Sequence, residues 1–134
     1  MNLNKINEKA WKLAEAATIK ERGRNKSFSN SRIRKMLGSL TENDFESTIK
    51  KLIEDYQPQD IKNRKNMKQK CKEFGNKLIN ETRDMGHKEK LMLSQYTQWT
   101  LAILEGFRNE EEKIRCLRCE GVNNEELVKT IIKK

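Results

Sequence analysis

A chain of 134 residues with a net charge of +9 is most simply one domain built around a single core. Charged residues reach 37% of the chain and hydrophobic residues only 34%, which predicts a thin core that is completed by partners or by further copies of the chain. The apolar stretches are too short for a membrane span and the N-terminal MNLNKINEKAW lacks the apolar region of a signal peptide, so we expect a cytoplasmic protein of a cell or its virus.

The composition favours helices along the whole chain. There are one proline and six glycines, the residues that interrupt helices, and little of the turn chemistry that β-hairpins need. A first helix is predicted from near Asn4 to about Glu21, followed by a polar, basic loop that contains Gly23, Asn25 and Ser27. The apolar stripe of this helix consists of Leu3, Ile6, Ala10, Leu13 and Ala17.

A short second helix is predicted to begin among Ser29, Asn30 and Ser31, because their side chains offer N-cap oxygens. Its buried stripe consists of Ile33, Met36, Leu37 and Leu40. The basic residues of this helix fall off that stripe, so we expect them to face outward. They are Arg32, Arg34 and Lys35.

The third predicted helix starts where Thr41 and Asp44 resemble a capping box, and it ends at Pro58, which cannot continue a helix. Its apolar face consists of Phe45, Ile49, Leu52, Ile53 and Tyr56.

A long fourth helix is predicted from Asp60 to about Met85, with a narrow apolar stripe and a basic first half. The stripe consists of Met67, Cys71, Phe74 and Leu78. Gly75 is unfavourable inside a helix, so it either permits close packing or marks a bend.

The most apolar helix is predicted from His87 to about Phe107, and we expect it to be the centre of the core. One stripe consists of Met92, Tyr96, Trp99, Ile103 and Phe107, and Leu93, Leu101 and Leu104 widen it.

Beyond this helix, a short helix closed by Gly121 and a last helix capped by Asn123 are predicted. The fold class is therefore all-α, a compact bundle of six or seven helices. We expect a single helical domain over 1–134, with the main bundle in 1–108 and a C-terminal helical extension in 109–134.

The positive charge is concentrated in two segments. Residues 20–35 carry seven basic side chains and one acid, and residues 62–77 also carry seven and one. A charge run is most often a solvated face, but the exclusion of acids and the abundance of arginine in the first segment favour docking of a phosphate backbone. The predicted nucleic-acid-binding residues are Arg22, Arg24, Lys26, Arg32, Arg34, Lys35, Arg64, Lys65, Lys68 and Lys72.

The sequence gives little support for catalysis, and we expect no enzymatic activity, no cofactor and no metal site. His87 follows a glycine at a helix start, where it is more often a cap or surface residue than a general base. Cys116 and Cys119 form a C-x-x-C without a second ligand pair, so buried small side chains are favoured over zinc. An odd three cysteines agrees with reducing surroundings.

Several segments, in this order, resemble the small helical subunit of type III-A CRISPR effector complexes, the Csm-type small subunit. They are AWKLAEAA, the basic KERGRNKSF, SNSRIRKMLGSL, KEFGNKL and QYTQWTLAILEGF. The resemblance covers residues 5–107, with Ser29 to Leu40 as its most specific part. The chain departs from that family at Asn76, where the family favours arginine. The chain also resembles the Cmr-type small subunit and small subunits from other CRISPR types.

This resemblance implies a non-catalytic subunit that stacks in several copies along a guide RNA and its paired target, beside other subunits of the complex. It implies contacts to phosphates and sugars, because a protein that serves any guide must ignore base identity. By position, Arg32, Arg34 and Lys35 would face the nucleic acid from their helix, and Arg22, Arg24 and Lys26 from the preceding loop.

Two other readings stay open. SNSRIRKMLGSL could be the recognition helix of a free-standing helix-turn-helix-like DNA-binding regulator, although the loop before it is longer than the usual turn. A viral or plasmid-borne adaptor or inhibitor that binds only protein is the third hypothesis. We expect a nucleic-acid partner, RNA as a guide/target duplex or single strand, and no membrane partner.

Overall fold

The computed structural model describes residues 3–21 and 24–106, and for Glu21 and Arg24 it describes only the backbone. This part of the chain forms five α-helices and one antiparallel hairpin. They are α1 (Leu3–Ala17), β1 (Thr18–Glu21), β2 (Arg24–Ser27), α2 (Asn30–Gly38), α3 (Phe45–Glu54), α4 (Arg64–Thr82) and α5 (His87–Gly106). The protein is therefore mostly helical, as predicted. The two helices predicted over 109–134 lie outside the described residues, so the expected total of six or seven is a prediction.

The hairpin corrects the predicted start of the chain. The first helix ends at Ala17 and not near Glu21, and residues 18–27 are paired strands where a loop was expected, with Thr18 opposite Ser27. Thr18 and Ile19 are β-branched, and branched side chains lose rotamer freedom in a helix. Both residues therefore favour an extended backbone at this point.

Tertiary hydrogen bonds hold the second strand against the end of α5. The backbone N–H of Ser27 donates to Glu105 Oε1 at 2.9 Å, and the Ser27 hydroxyl donates to the same oxygen. Asn25 Nδ2 donates to the Leu104 carbonyl at 3.5 Å. These contacts bury Asn25 and Ser27, two polar residues that the sequence alone places in a solvated loop.

The core lies between α1, α4 and α5, with α2 and α3 closing one side. Trp11 of α1 and Phe74 of α4 are its largest fully buried side chains. Lys9 on α1 reaches across to α4, where its Nζ donates to the Glu81 carbonyl at 2.7 Å. The predicted stripes of α1 and α2 are confirmed in the buried residues Ile6, Ala10, Leu13, Ala17, Ile33, Met36, Leu37 and Leu40, while Leu3 is exposed.

The buried face of α5 differs from the predicted one. It contains Leu93, Thr97, Thr100 and Leu104, together with Leu101 and Ile103. Thr97 and Thr100 can be buried because their hydroxyls donate to carbonyls one turn earlier, at 2.7 and 2.8 Å. Trp99, which was predicted in the core, keeps 41% of its surface exposed.

Glycine 75 lets α3 and α4 approach closely. A Cβ at this position would lie 2.5 Å from Cδ1 of Ile53 and 3.2 Å from Cγ2 of Ile49, both on α3. Of the two roles that the sequence left open for Gly75, close packing is the one observed. α4 is an uninterrupted helix at this position.

The start of α3 also differs from expectation. Thr41 lies in a short 3-10 turn, Ser39–Thr41, and the side chain of Asp44 makes no capping hydrogen bond. The predicted capping box is therefore wrong. A hydrogen bond of 3.2 Å from the Thr48 hydroxyl to Glu42 Oε2 joins the first turn of α3 to the preceding loop instead.

Over the residues that the structure describes, every helix is too short or too polar to cross a membrane.

Candidate nucleic-acid interface

A cluster of three aromatic rings lies where the residues before α2 and after α3 meet α4. The Phe28 ring meets the Tyr56 ring edge to face, with centroids 5.7 Å apart, and meets the Phe74 ring in the same manner at 6.0 Å. The Tyr56 hydroxyl donates to the Phe28 carbonyl at 3.1 Å. All three side chains are buried, so they form a fixed floor under the surface above them.

Arg32 lies on this aromatic floor. Its guanidinium carbon is 5.4 Å from the centroid of the Tyr56 ring, within the range of a cation–π contact. The residue is on the first turn of α2, where Ser29 caps the helix by accepting a hydrogen bond from the Arg32 backbone N–H at 3.3 Å. Both the backbone and the side chain of Arg32 are therefore held in place.

The electrostatic effect of Arg32 is felt by its two buried neighbours. Burial raises the pKa of the Cys71 thiol to about 11, and the positive charge of Arg32 opposes that rise. Burial also raises the pKa of Tyr56, with Ser29 and Arg32 acting in the opposite direction. The thiol and the phenol are neutral at pH 7, so neither neutralises the guanidinium.

A groove opens beside Arg32, between the start of α2 and the loop that joins α3 to α4. We call it the basic groove. Its main lining residues are Ser29, Ser31, Arg32, Tyr56, Gln59 and Asp60. Pro58 also lines the groove, and its carbonyl accepts a hydrogen bond from Arg64 Nε at 3.3 Å. Arg32 of the first basic segment therefore lines the groove, and Arg64 of the second segment is bonded to one of its lining residues.

Asp60 is the acid of the basic groove and organises its loop. One carboxylate oxygen accepts from the backbone N–H groups of Lys62 and Asn63 at 3.1 and 3.4 Å, and the other accepts from the Asn63 side chain at 3.0 Å. The side-chain hydrogen bond from Asn63 is the largest cause of a lowered pKa of Asp60, and the nearby charge of Lys26 contributes. Lys26 of β2 therefore lies near the same groove.

A row of lysines lies along α4. Lys65, Lys68 and Lys72 are all exposed and follow one another at helical spacing, so they share one side of the helix. Glu73, the acid of this segment, accepts a hydrogen bond from Gln69 at 3.2 Å. Lys35 lies three residues after Arg32 and shares its side of α2.

Seven of the ten predicted cations make no ion pair with a described carboxylate. Among residues whose side chains are described, no carboxylate lies within ion-pair distance of Arg32, Arg34, Lys35, Arg64, Lys65, Lys68 or Lys72. Within the described part of the chain, these charges produce an uncompensated positive potential on α2 and α4.

The structure brings together some of the predicted residues. Arg32 lines the basic groove, Arg64 is bonded to the lining residue Pro58, and the charge of Lys26 acts on Asp60. Lys35 lies on α2, and Lys65, Lys68 and Lys72 lie on α4. Arg34 lies apart, in a second groove against α5. Arg22 lies outside the described residues, as does the side chain of Arg24.

Two functional candidates were missed at the sequence level. Tyr56 is buried, as predicted, but it lies just beyond the end of α3 and not on that helix. Its contact with Arg32 joins residues 24 positions apart and has no local signal. Trp99 was assigned to the core because large aromatic residues are usually buried. Thr97 and Thr100 occupy the buried face of α5 in place of Trp99, and this pair of threonines is the sequence signal that could have indicated its exposure.

The other side chains with reactive groups lie outside the basic groove or outside the described residues. His87 is exposed at the first position of α5, and no cluster of metal-ligating side chains occurs in residues 3–21 and 24–106. Cys116 and Cys119 lie outside the described residues.

Comparisons with known proteins give no assignment. No family model matches the chain, and no curated protein or solved structure matches it either.

Proposed function

We propose that this chain is a non-catalytic protein that binds a nucleic-acid backbone without regard to sequence. The observation that supports the proposal most directly is the position of Arg32, which lines the basic groove over the Tyr56 ring, while Arg64 of the second basic segment is hydrogen-bonded to the carbonyl of the groove residue Pro58. Guanidinium groups bind phosphate oxygens bidentately, and fixed guanidinium groups lose less side-chain entropy on binding.

The extent of the surface suits a strand and not a single phosphate. From Lys65 to Lys72 the row of lysines rises about 10 Å along α4 at 1.5 Å per residue, enough to follow two or three phosphates. Point charges of this kind read the backbone, which is common to all sequences. Sequence-independent binding follows from that chemistry.

The resemblance of residues 5–107 to the small subunits of type III CRISPR effector complexes supports a more specific proposal. The nucleic acid would be a guide RNA with its target, and the chain would be one of several copies in a cytoplasmic ribonucleoprotein complex. Reconstitution tests this part. Added to a type III-A complex that lacks its small subunit, the chain is expected to be incorporated in more than one copy; failure to be incorporated would leave only the general binding proposal.

The arrangement of α1 and α2 weakens the main rival proposal. A helix-turn-helix joins its two helices by a turn of about 3 to 4 residues, whereas here a β-hairpin separates α1 from α2. A helix-turn-helix regulator would read base edges with side chains on the outer side of α2. The exposed residues on that side are Ser31, Arg34 and Lys35.

Fluorescence anisotropy with several unrelated RNA and DNA strands of equal length separates the proposals. Sequence-independent binding predicts similar affinities for all strands of one chemical type. A strong preference for one palindromic duplex would support the regulator instead. Failure to bind any polynucleotide at about 50 mM salt would leave a protein-binding adaptor or inhibitor.

A further inference from the structure

A second groove lies on the other side of α2, between this helix and the second half of α5. The residues that matter for its chemistry are Asn30, Arg34, Gln98, Trp99, Ala102 and Glu105. It thus combines an exposed cation, two side-chain amides and a large aromatic ring. None of these features is used by the basic groove.

Trp99 is unusual in being large, exposed and rigid. Trp99 keeps 41% of its surface exposed. Its ring stacks on the Tyr96 ring, with centroids 5.6 Å apart and planes inclined by 22°. Stacking on a neighbour of the same helix restricts the side-chain rotamers of Trp99. An aromatic ring that is already ordered can accept another flat ring at little entropic cost.

Arg34 is the group beside Trp99 that can bind an anion. Arg34 is exposed and makes no ion pair with a described carboxylate. Glu105 is the acid of this groove, and its Oε1 already accepts two hydrogen bonds from Ser27. The remaining polar groups near the ring are the neutral amides of Asn30 and Gln98, which can donate and accept hydrogen bonds.

We infer that Trp99 and Arg34 form a site for one nucleotide of a single strand, with the base stacked on the indole ring and the phosphate bound by the guanidinium. This inference rests on the proposed sequence-independent backbone binding, and it assigns an unpaired stretch of the nucleic acid to this groove. In a duplex the bases are stacked on each other and their faces are covered, so only an unpaired base can use Trp99. Stacking is independent of base identity, which agrees with binding that ignores sequence.

The position of the two grooves defines a path for the strand. Arg32 and Arg34 are two residues apart on α2, so they point to different sides of the helix, one to each groove. Ser31 and Lys35 are exposed on the surface between them. A strand that crosses α2, which is about 10 Å wide with its side chains, would reach both arginines.

Tryptophan fluorescence tests this inference, because the chain has only two tryptophans and Trp11 is fully buried. The probes are a 15-residue oligouridine and an abasic ribose-phosphate strand of the same length. We expect oligouridine, and not the abasic strand, to quench the Trp99 emission, obtained as the difference between the native protein and Trp99→Phe. In anisotropy, Trp99→Ala is expected to weaken oligouridine binding about tenfold and to leave abasic binding unchanged.

Each alternative result has a defined meaning. Equal affinity of the native protein for both strands, without quenching, would overturn this inference and leave the proposed function standing. Absence of binding to both strands would overturn both. A change of Trp99 emission with protein concentration alone would show that a second copy covers the ring, and would also overturn the inference. Circular dichroism of Trp99→Ala and Trp99→Phe checks that both variants fold.

Discussion

The guanidinium carbon of Arg32 lies 5.4 Å from the centroid of the Tyr56 ring, and the Tyr56 hydroxyl donates to the Phe28 carbonyl. This arrangement connects the first basic segment to the α3–α4 loop through buried aromatic side chains. The position of the Arg32 guanidinium therefore depends on the packing of the buried Tyr56 and Phe28 side chains.

Two substitutions of Tyr56 separate its ring from its hydroxyl. Tyr56→Phe removes the hydrogen bond to Phe28 and is expected to lower the free energy of unfolding by about 1 to 2 kcal/mol, with polynucleotide affinity nearly unchanged. Tyr56→Leu also removes the ring beneath Arg32, so we expect a clear loss of affinity in addition to lower stability. Denaturant unfolding and anisotropy measure the two effects. Equal affinities of both variants would show that the ring does not position Arg32.

Asp60 repels an anionic ligand from the basic groove. Asp60→Asn removes the charge and keeps an oxygen that can accept hydrogen bonds from the loop, so we expect about threefold tighter polynucleotide binding at low salt. Asp84→Asn is the matched control, because Asp84 is exposed beyond the opposite end of α4. Equal changes in the two variants would mean that only net charge matters and would argue against binding at the groove.

The close approach of α3 and α4 predicts the effect of a single methyl group. In an open helix Gly75→Ala would stabilise by about 1 kcal/mol, but here the new Cβ would lie 2.5 and 2.9 Å from two atoms of Ile53. We expect a net loss of about 1 to 3 kcal/mol in the free energy of unfolding. Ile53→Val in the same chain removes the nearer atom and should recover part of it.

Gly38→Ala is the control for this substitution, since a Cβ at Gly38 meets nothing within 4 Å and its φ of −65° suits any residue. This variant is expected to be as stable as the native chain or slightly more stable. A stabilising Gly75→Ala would contradict the packing described for α3 and α4.

The buried Cys71 thiol predicts how stability changes at alkaline pH. Because its pKa is about 11 when folded and about 9 when exposed, the unfolded chain loses this proton first as pH rises. Its contribution to stability is therefore complete below pH 9 and is lost between about pH 9 and 11. Denaturant unfolding from pH 8 to 11 should show a steeper loss for the native chain than for Cys71→Ala. Parallel curves would contradict the burial of this thiol.

The helices of this chain could be predicted because their apolar stripes are regular. Ile33, Met36 and Leu37 follow helical spacing, and the structure buries all three. The hairpin could not be predicted in this way. Its second strand, Arg24–Ser27, has low intrinsic β-propensity, and Ser27 is ordered by Glu105, which lies 78 positions later.

The candidate site was predictable as composition but not as geometry. Charge clustering identified Arg32 and Arg34 together, because both avoid the buried stripe of α2. Helical geometry then places them on different sides, with Arg32 over Tyr56 and Arg34 beside Trp99. The sequence pattern indicates which residues of a helix face outward. It does not indicate which residues of other elements lie beside them.

The salt dependence of polynucleotide binding by the double variant Arg32→Ala/Arg64→Ala is the sharpest test of whether the basic groove binds phosphates. The control is Lys12→Ala/Lys88→Ala, which removes the same charge from exposed positions on α1 and α5, outside both grooves. If Arg32 and Arg64 each bind a phosphate, the slope of log K against log salt should become shallower by about 2 for the arginine variant and remain near the native value for the control. Equal slopes for the two variants would contradict a phosphate-binding role for the basic groove.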